Sequence, residues 1–237
     1  MLATRVTEIN MCLTWKTELP QLMLVAAMFV LAAVFWPSAP EQIPVHWDIS
    51  GQVDRYGRRF EGLLLLPVLA LSLYLLLLFL PRIDPRRSNY ARFRNAYLTV
   101  RVAILVFIAL NYGFMLLWVG GIQLDPSVVV PTGIGVLLIV LGIPMSKIQP
   151  NWFVGIRTPW TLTSELSWRK THRLGRWVFI FAGVLFLSSS LASGLGASIA
   201  VPWVGLIFLF AVVFFLVGYS YFIWRVDPER ASNHSAE

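Results

Sequence analysis

Residues 151–175 read NWFVGIRTPWTLTSELSWRKTHRLG, the longest polar interruption in an otherwise apolar chain. The stretch holds three of the ten tryptophans (Trp152, Trp160, Trp168) and four of the nineteen Lys and Arg residues (Arg157, Arg169, Lys170, Arg173). It also holds His172, one of three histidines. A segment that only joined two helices needs a few residues with Gly or Pro, so a long aromatic and basic loop points to function. Gly155 and Pro159 flank Ile156, Arg157 and Thr158, and the residue before a proline is biased to extended geometry, so 151–159 is expected to be non-helical. Thr161 or Thr163 is then the expected N-cap, with Glu165 in the first helical turn, where the dipole favours it. The helix that follows sets Trp168 and His172 four residues apart on one face, with Arg169, Arg173 and Arg176 on another. Such an amphipathic segment suits the headgroup region and runs into the next apolar stretch.

Composition makes that next stretch a membrane span. Hydrophobic residues are 57% of the 237 and charged residues 13%, against about 25% charged in soluble domains. The chain lacks the polar surface of a water-soluble globule of its size. Apolar runs fall at about 20–36, 62–80, 98–119, 128–146, 176–193 and 199–224. A spanning helix needs about 20 residues, and no run carries a charge near its centre, where one costs about 2.5–3.5 kcal/mol. The expected fold is an all-α polytopic membrane protein: one domain of six transmembrane helices over 19–224. Residues 1–18 form a mixed segment that either lies on the surface or is disordered, and 225–237 form a cytoplasmic tail. The first apolar run shows no cleavage pattern and is expected to be retained. Cys12 is the only cysteine, which excludes an intrachain disulfide and a Cys-based zinc site.

Orientation follows from the loops. With the N-terminus inside, the inner segments (the N-terminus, 81–101, 147–176 and the C-terminus) hold two, six, six and two basic residues, sixteen in all. The outer loops hold three, Arg55, Arg58 and Arg59. The positive-inside rule therefore expects both termini to be cytoplasmic. Trp36, Trp118, Trp177, Trp203 and Trp224 fall at span ends, as an aromatic belt requires. The net charge of +7 is spread over these short loops, which argues against a nucleic-acid partner. The basic loop 81–101 is suited to anionic lipid.

The long outer loop, 37–61, is PSAPEQIPVHWDISGQVDRYGRRFE. Its prolines and glycines favour an extended, turn-rich cap. His46, Asp48, Asp54, Glu41 and Glu61 match no standard metal spacing, and no metal or other cofactor is expected. Trp47 and Tyr56 are aromatic anchors of the kind that dominate peptide interfaces. In the inner loop, Arg157 is placed to stack on an indole or to hold a carboxylate or lipid phosphate, the competing reading being one more basic anchor. His172 lacks a companion nucleophile, and Ser164 or Ser167 beside it makes no triad.

The run from Asn151, Trp152, Gly155, Ile156, Arg157, Thr158, Pro159, Trp160 and Thr161 to Trp168, Lys170, Thr171 and His172 resembles the signature of the SdpI family of bacterial membrane proteins. IPVHWDISG at 43–51 is similar to the small domain, here about 20–60, that precedes the signature in that family. The resemblance implies a multi-pass protein of the bacterial inner membrane, not an enzyme, that gives immunity to an extracellular peptide toxin. It also implies possible partners, the toxin outside and a cytoplasmic transcriptional regulator inside. The expected functional residues are those of the inner run and, outside, Pro44, His46, Trp47, Gly51 and Asp54. The alternative is a transporter of a small molecule, peptide or lipid, built of two inverted three-helix repeats, each with a long loop after its first helix. Few polar or ionisable residues mark the spans (the amide Asn111 within the third, the charged Glu61 and Arg101 near ends), which disfavours proton or cation coupling.

Overall fold

A computed structural model describes residues 14–48, 50–196 and 200–229, and the side chains of 205–229 in the last stretch. In chain order the elements are α1 (Trp15–Phe35), β1 (Gln42–Trp47), β2 (Val53–Arg58), α2 (Arg59–Ile83), a 3-10 helix (Arg87–Phe93) and α3 (Arg94–Val119). They continue with α4 (Pro126–Met145), the short α5 (Pro159–Thr163), α6 (Glu165–Gly194) and α7 (Ala200–Arg225). Six helices among the described residues are long and apolar enough to cross a membrane. Large apolar side chains such as Val30, Leu76, Leu110, Phe181 and Phe214 face outward, as lipid-facing residues do. The protein is a polytopic helical membrane protein.

α1 starts at Trp15, several residues before the apolar run at about 20–36 from which a span is expected. Thr14 and Thr17 close a reciprocal capping box there, and Glu18 in the first turn is buried rather than solvated. Residues 1–13, with Cys12, and the tail from 230 lie outside the described residues, as does the Trp203 side chain. α1, α2 and α3 share one apolar core, with Met28, Leu63, Ala70, Leu105 and Tyr112 at its centre. In the second half α6 packs against both α4 and α7. α4 and α6 come into backbone contact at Gly135 and Gly183: a Cβ on Gly135 would lie 2.8 Å from the Gly183 carbonyl oxygen. Small residues permit such backbone contact where lipid offers no hydrophobic drive for association.

The one β element among the described residues departs from an all-helical chain. β1 and β2 form an antiparallel hairpin, with Gln42 opposite Arg58 and Trp47 opposite Val53. Its turn is organised by Asp48, whose Oδ1 accepts from the Ser50 hydroxyl (2.6 Å) and from the Ser50 and Gln52 amides (both 2.9 Å). The Ser50 hydroxyl foremost holds the Asp48 carboxyl below its ordinary range. Ile43, fully buried, seats the hairpin on Gly62 of α2. Trp47 packs on Phe114 and Trp118 of α3, with ring centroids 5.2 and 5.5 Å apart. The hairpin caps one end of the bundle; residues 84–93 and 146–164 form the other.

Candidate functional site

The hairpin covers a cavity of about 690 Å³ between the two three-helix halves. Leu65 and Leu69 of α2, Phe107, Asn111 and Met115 of α3, Val130 and Ile134 of α4, Phe186 of α6 and Leu206 of α7 line it. Val45, His46, Trp47, Asp48, Arg55 and Glu61 stand at its mouth. The Trp47 indole N–H is buried with no acceptor among the described residues. Arg55 and Glu61 pair at 2.6 Å, and His46 Nδ1 meets Asp54 Oδ1 at 2.6 Å. Both pairs are partly exposed and contribute about 0–1 kcal/mol. Of the five outer residues singled out by sequence, His46 and Trp47 line the cavity. Asp54 is bound to His46, while Pro44 and Gly51 shape the hairpin. Such a space, apolar with a few polar groups at its rim, is the usual form of a small-ligand or peptide-anchor site.

At the opposite end the 151–175 run folds back on itself. Asn151 is fully buried; its Oδ1 accepts from the Phe153 and Val154 amides, and its Nδ2 donates to the Gln149 and Val154 carbonyls. Gly155 has φ +112°, and a Cβ there would strike the His172 ring. The absent Cβ lets His172 Nε2 accept from the Ile156 amide at 3.0 Å, while Nδ1 donates to the Trp168 carbonyl at 2.8 Å. Both ring nitrogens are engaged, which sets a neutral ring protonated at Nδ1 and leaves no nitrogen for catalysis. Trp168 stacks on that ring at 4.1 Å and donates Nε1 to the Ile148 carbonyl.

The caps differ from expectation. Thr158, not Thr161 or Thr163, caps α5, because it is Thr158 that precedes Pro159 in extended geometry; its side chain accepts from the Thr161 amide. Ser164 caps α6, which therefore starts at Glu165 and runs unbroken to Gly194. Thr158 also meets Ser220 at 2.9 Å, Ser167 donates to the Ser220 carbonyl, and Ser164 donates to the Asp227 carboxylate, so the loop is tied to the end of α7. Thr161 and Thr171 are buried, Trp160 packs edge-on to Tyr221, and Ile156 fills the space beside Gly175. Trp152, Arg157, Pro159 and Lys170 are exposed. The Arg157 guanidinium lies on the Trp152 carbonyl at 2.8 Å rather than on an indole face.

Two clusters escaped sequence reading. Asp84, buried, accepts from the Arg86 amide (2.7 Å), the Tyr90 hydroxyl (2.9 Å) and the Trp152 amide (3.0 Å), joining the α2–α3 turn to the loop. Its isolation among Arg82, Arg86 and Arg87 was the available signal. Glu18, Tyr74 and Arg101 meet inside the first half; an acid just before one span and an Arg just inside another were the trace of it.

A six-span bundle with a capped cavity at one end and a braced loop at the other defines a class of polytopic membrane protein. Residues 147–222 match the SdpI/YfhL protein family, and residues 23–71 match a domain of unknown function, DUF1648. The resemblance to the SdpI family holds over both stretches that carried it. The chain is similar to "Immunity protein SdpI" of Bacillus subtilis, 24% identical over 216 residues that cover 87% of this chain and 96% of that protein. It is also similar to "Uncharacterized membrane protein YbgB" of the same organism, 40% identical over 45 residues, 19% of this chain and 50% of that one. No solved structure matches.

Proposed function

We propose that this protein is an immunity protein of the bacterial cytoplasmic membrane, shielding the cell from an extracellular peptide toxin. The observation that carries this reading is the cavity of about 690 Å³ under the hairpin, at the end that the distribution of Lys and Arg assigns to the outside. Its apolar walls suit the side chains of a membrane-active peptide, and the Trp47 N–H supplies a donor for a peptide carbonyl. Pro44, His46, Trp47, Gly51 and Asp54 form or frame that mouth. The likeness over most of both chains to a protein named for immunity supports the same reading.

On the inner side Trp152, Arg157 and Lys170 are among the exposed members of the run from Asn151 to His172, and they are part of the surface on which a cytoplasmic regulator would dock. The buried members hold that surface in shape. No catalytic step is assigned to the protein. The transporter reading draws on the cavity's place between two three-helix halves.

The test is survival of toxin-sensitive bacteria producing the protein, its Trp47→Ala variant or its Arg157→Ala variant at equal membrane levels, against a panel of peptide toxins. Protection by the parent that is lost in Trp47→Ala supports toxin capture in the cavity. Equal protection by the parent and Trp47→Ala overturns the cavity's role. Export of a peptide or lipid from loaded vesicles without any protection would favour transport.

A further inference from the structure

Away from the hairpin, two further cavities border α3. The first, of about 310 Å³, is at the loop end and is bordered by Arg92, Arg94, Asn95 and Lys147. The second, of about 480 Å³, lies in the seam between α3 and α4, from Leu98 and Thr99 to Leu110, with Gly133, Val136 and Val140 opposite. Thr99 in the second donates to the carbonyl of Asn95 in the first at 2.9 Å, so the two are one helical turn apart. Arg92, Arg94 and Lys147 belong to no ion pair among the described residues, and Arg94 is half-buried.

We propose that this seam binds one anionic phospholipid, its phosphate held by Arg92, Arg94 and Lys147 and one acyl chain laid along the groove beyond Thr99. Charge and length both select this occupant. Three unpaired cations around one cavity call for an anion, and Arg in particular matches phosphate geometry. From Leu98 to Leu110 the helix rises about 18 Å at 1.5 Å per residue, close to one leaflet's share, about 15 Å, of a hydrocarbon core about 30 Å thick. A soluble anion would have no use for the apolar groove, and a neutral lipid none for the cations. Gly133 keeps the groove open: a Cβ there would sit 3.3 Å from the Phe107 ring. Phe107 lines both this groove and the cavity under the hairpin, so the bound chain lies against the wall of that cavity.

The experiment is native mass spectrometry of the full chain in detergent, with phosphatidylglycerol and phosphatidylcholine of identical acyl chains in competition. One phosphatidylglycerol per protein, retained at least fivefold over phosphatidylcholine, is expected. Arg92→Gln/Arg94→Gln/Lys147→Gln should abolish the preference, whereas Arg169→Gln/Arg173→Gln, at the same end but outside the cavity, should keep it. Val136→Trp, on an exposed groove position, should lower retention of both lipids without disturbing the charges. Equal retention of the two lipids by the parent would overturn the proposal. Equal loss in the two charge variants would also overturn it, showing only a diffuse attraction to basic loops. Unchanged retention in Val136→Trp, or full displacement of the lipid by inorganic phosphate, would overturn the acyl-chain part.

Discussion

Arg101 of α3 holds Glu18 of α1 through two parallel hydrogen bonds, Nη1 to Oε1 at 2.9 Å and Nη2 to Oε2 at 2.7 Å, while Tyr74 of α2 donates to Oε2 at 3.0 Å. The Arg101 side chain is 3% exposed and that of Glu18 11%. Three helices are thereby fixed in one register near the loop end. A buried pair contributes little compared with an apolar replacement of both partners, but removing one strands the other charge at about 3–5 kcal/mol. Arg101→Met is expected to destabilise the protein by that amount in thermal unfolding in detergent, and Glu18→Gln/Arg101→Met by clearly less. A loss in the double variant equal to the sum of the Arg101→Met and Glu18→Gln losses would show that the two residues are not coupled.

Gly155 is the second expected weak point. Its φ of +112° is one that residues with a Cβ rarely adopt, a strain of about 1–3 kcal/mol, and a Cβ would also displace His172 from the Ile156 amide. Gly155→Ala should lower the thermal midpoint markedly. Adding His172→Ala should relieve the collision but not the backbone strain, so the double variant should recover only part of the loss. Full recovery would mean that the backbone conformation carries no cost.

Asp84 braces the 151–157 turn through the Trp152 amide and the α2–α3 turn through Tyr90 and Arg86. Hydrogen bonds to a charged group contribute about 1.5–3 kcal/mol each. Asp84→Ala should therefore open the turn locally and speed tryptic cleavage after Arg157 about tenfold or more, the factor that corresponds to about 1.4 kcal/mol. An unchanged cleavage rate would show that the loop is held without it.

Orientation is testable directly. In a Cys12→Ser background, Gln52→Cys in the hairpin turn should react in intact cells with a membrane-impermeant maleimide, and Lys170→Cys only after lysis. Both positions are exposed in the fold. The reverse pattern would put the hairpin in the cytoplasm and remove the basis for toxin capture there.

Much of the architecture was legible in residue order. Long apolar runs require spans because a bilayer forces every backbone amide into helix, and the signature around Gly155 and Trp168 stood out because polar aromatic loops are rare in such a chain. The start of α1 was not legible. Glu18 and Lys16 look like flanking residues until Arg101, eighty-three positions away, is brought beside Glu18. The cap of α6 was ambiguous for a simpler reason: Thr158, Thr161, Thr163 and Ser164 are all competent caps, and only the extended backbone at Thr158 and Ser164 selects two of them.

The outer loop divides in the same way. Pro37, Pro40, Pro44, Gly51 and Gly57 rule out a long helix from composition alone, since proline lacks an amide proton and glycine weakens helix interiors. Pairing into a hairpin depends on burying Ile43 against Gly62 and Trp47 against Phe114, contacts that exist only once α2 and α3 have packed. Hydropathy and charge order, which act locally along the chain, were sufficient for the number of spans and for the expected orientation. The buried ion pair, the Asp84 brace and the cavity beneath Trp47 were decided by tertiary structure, because each joins side chains whose separation in sequence carries no periodic signal.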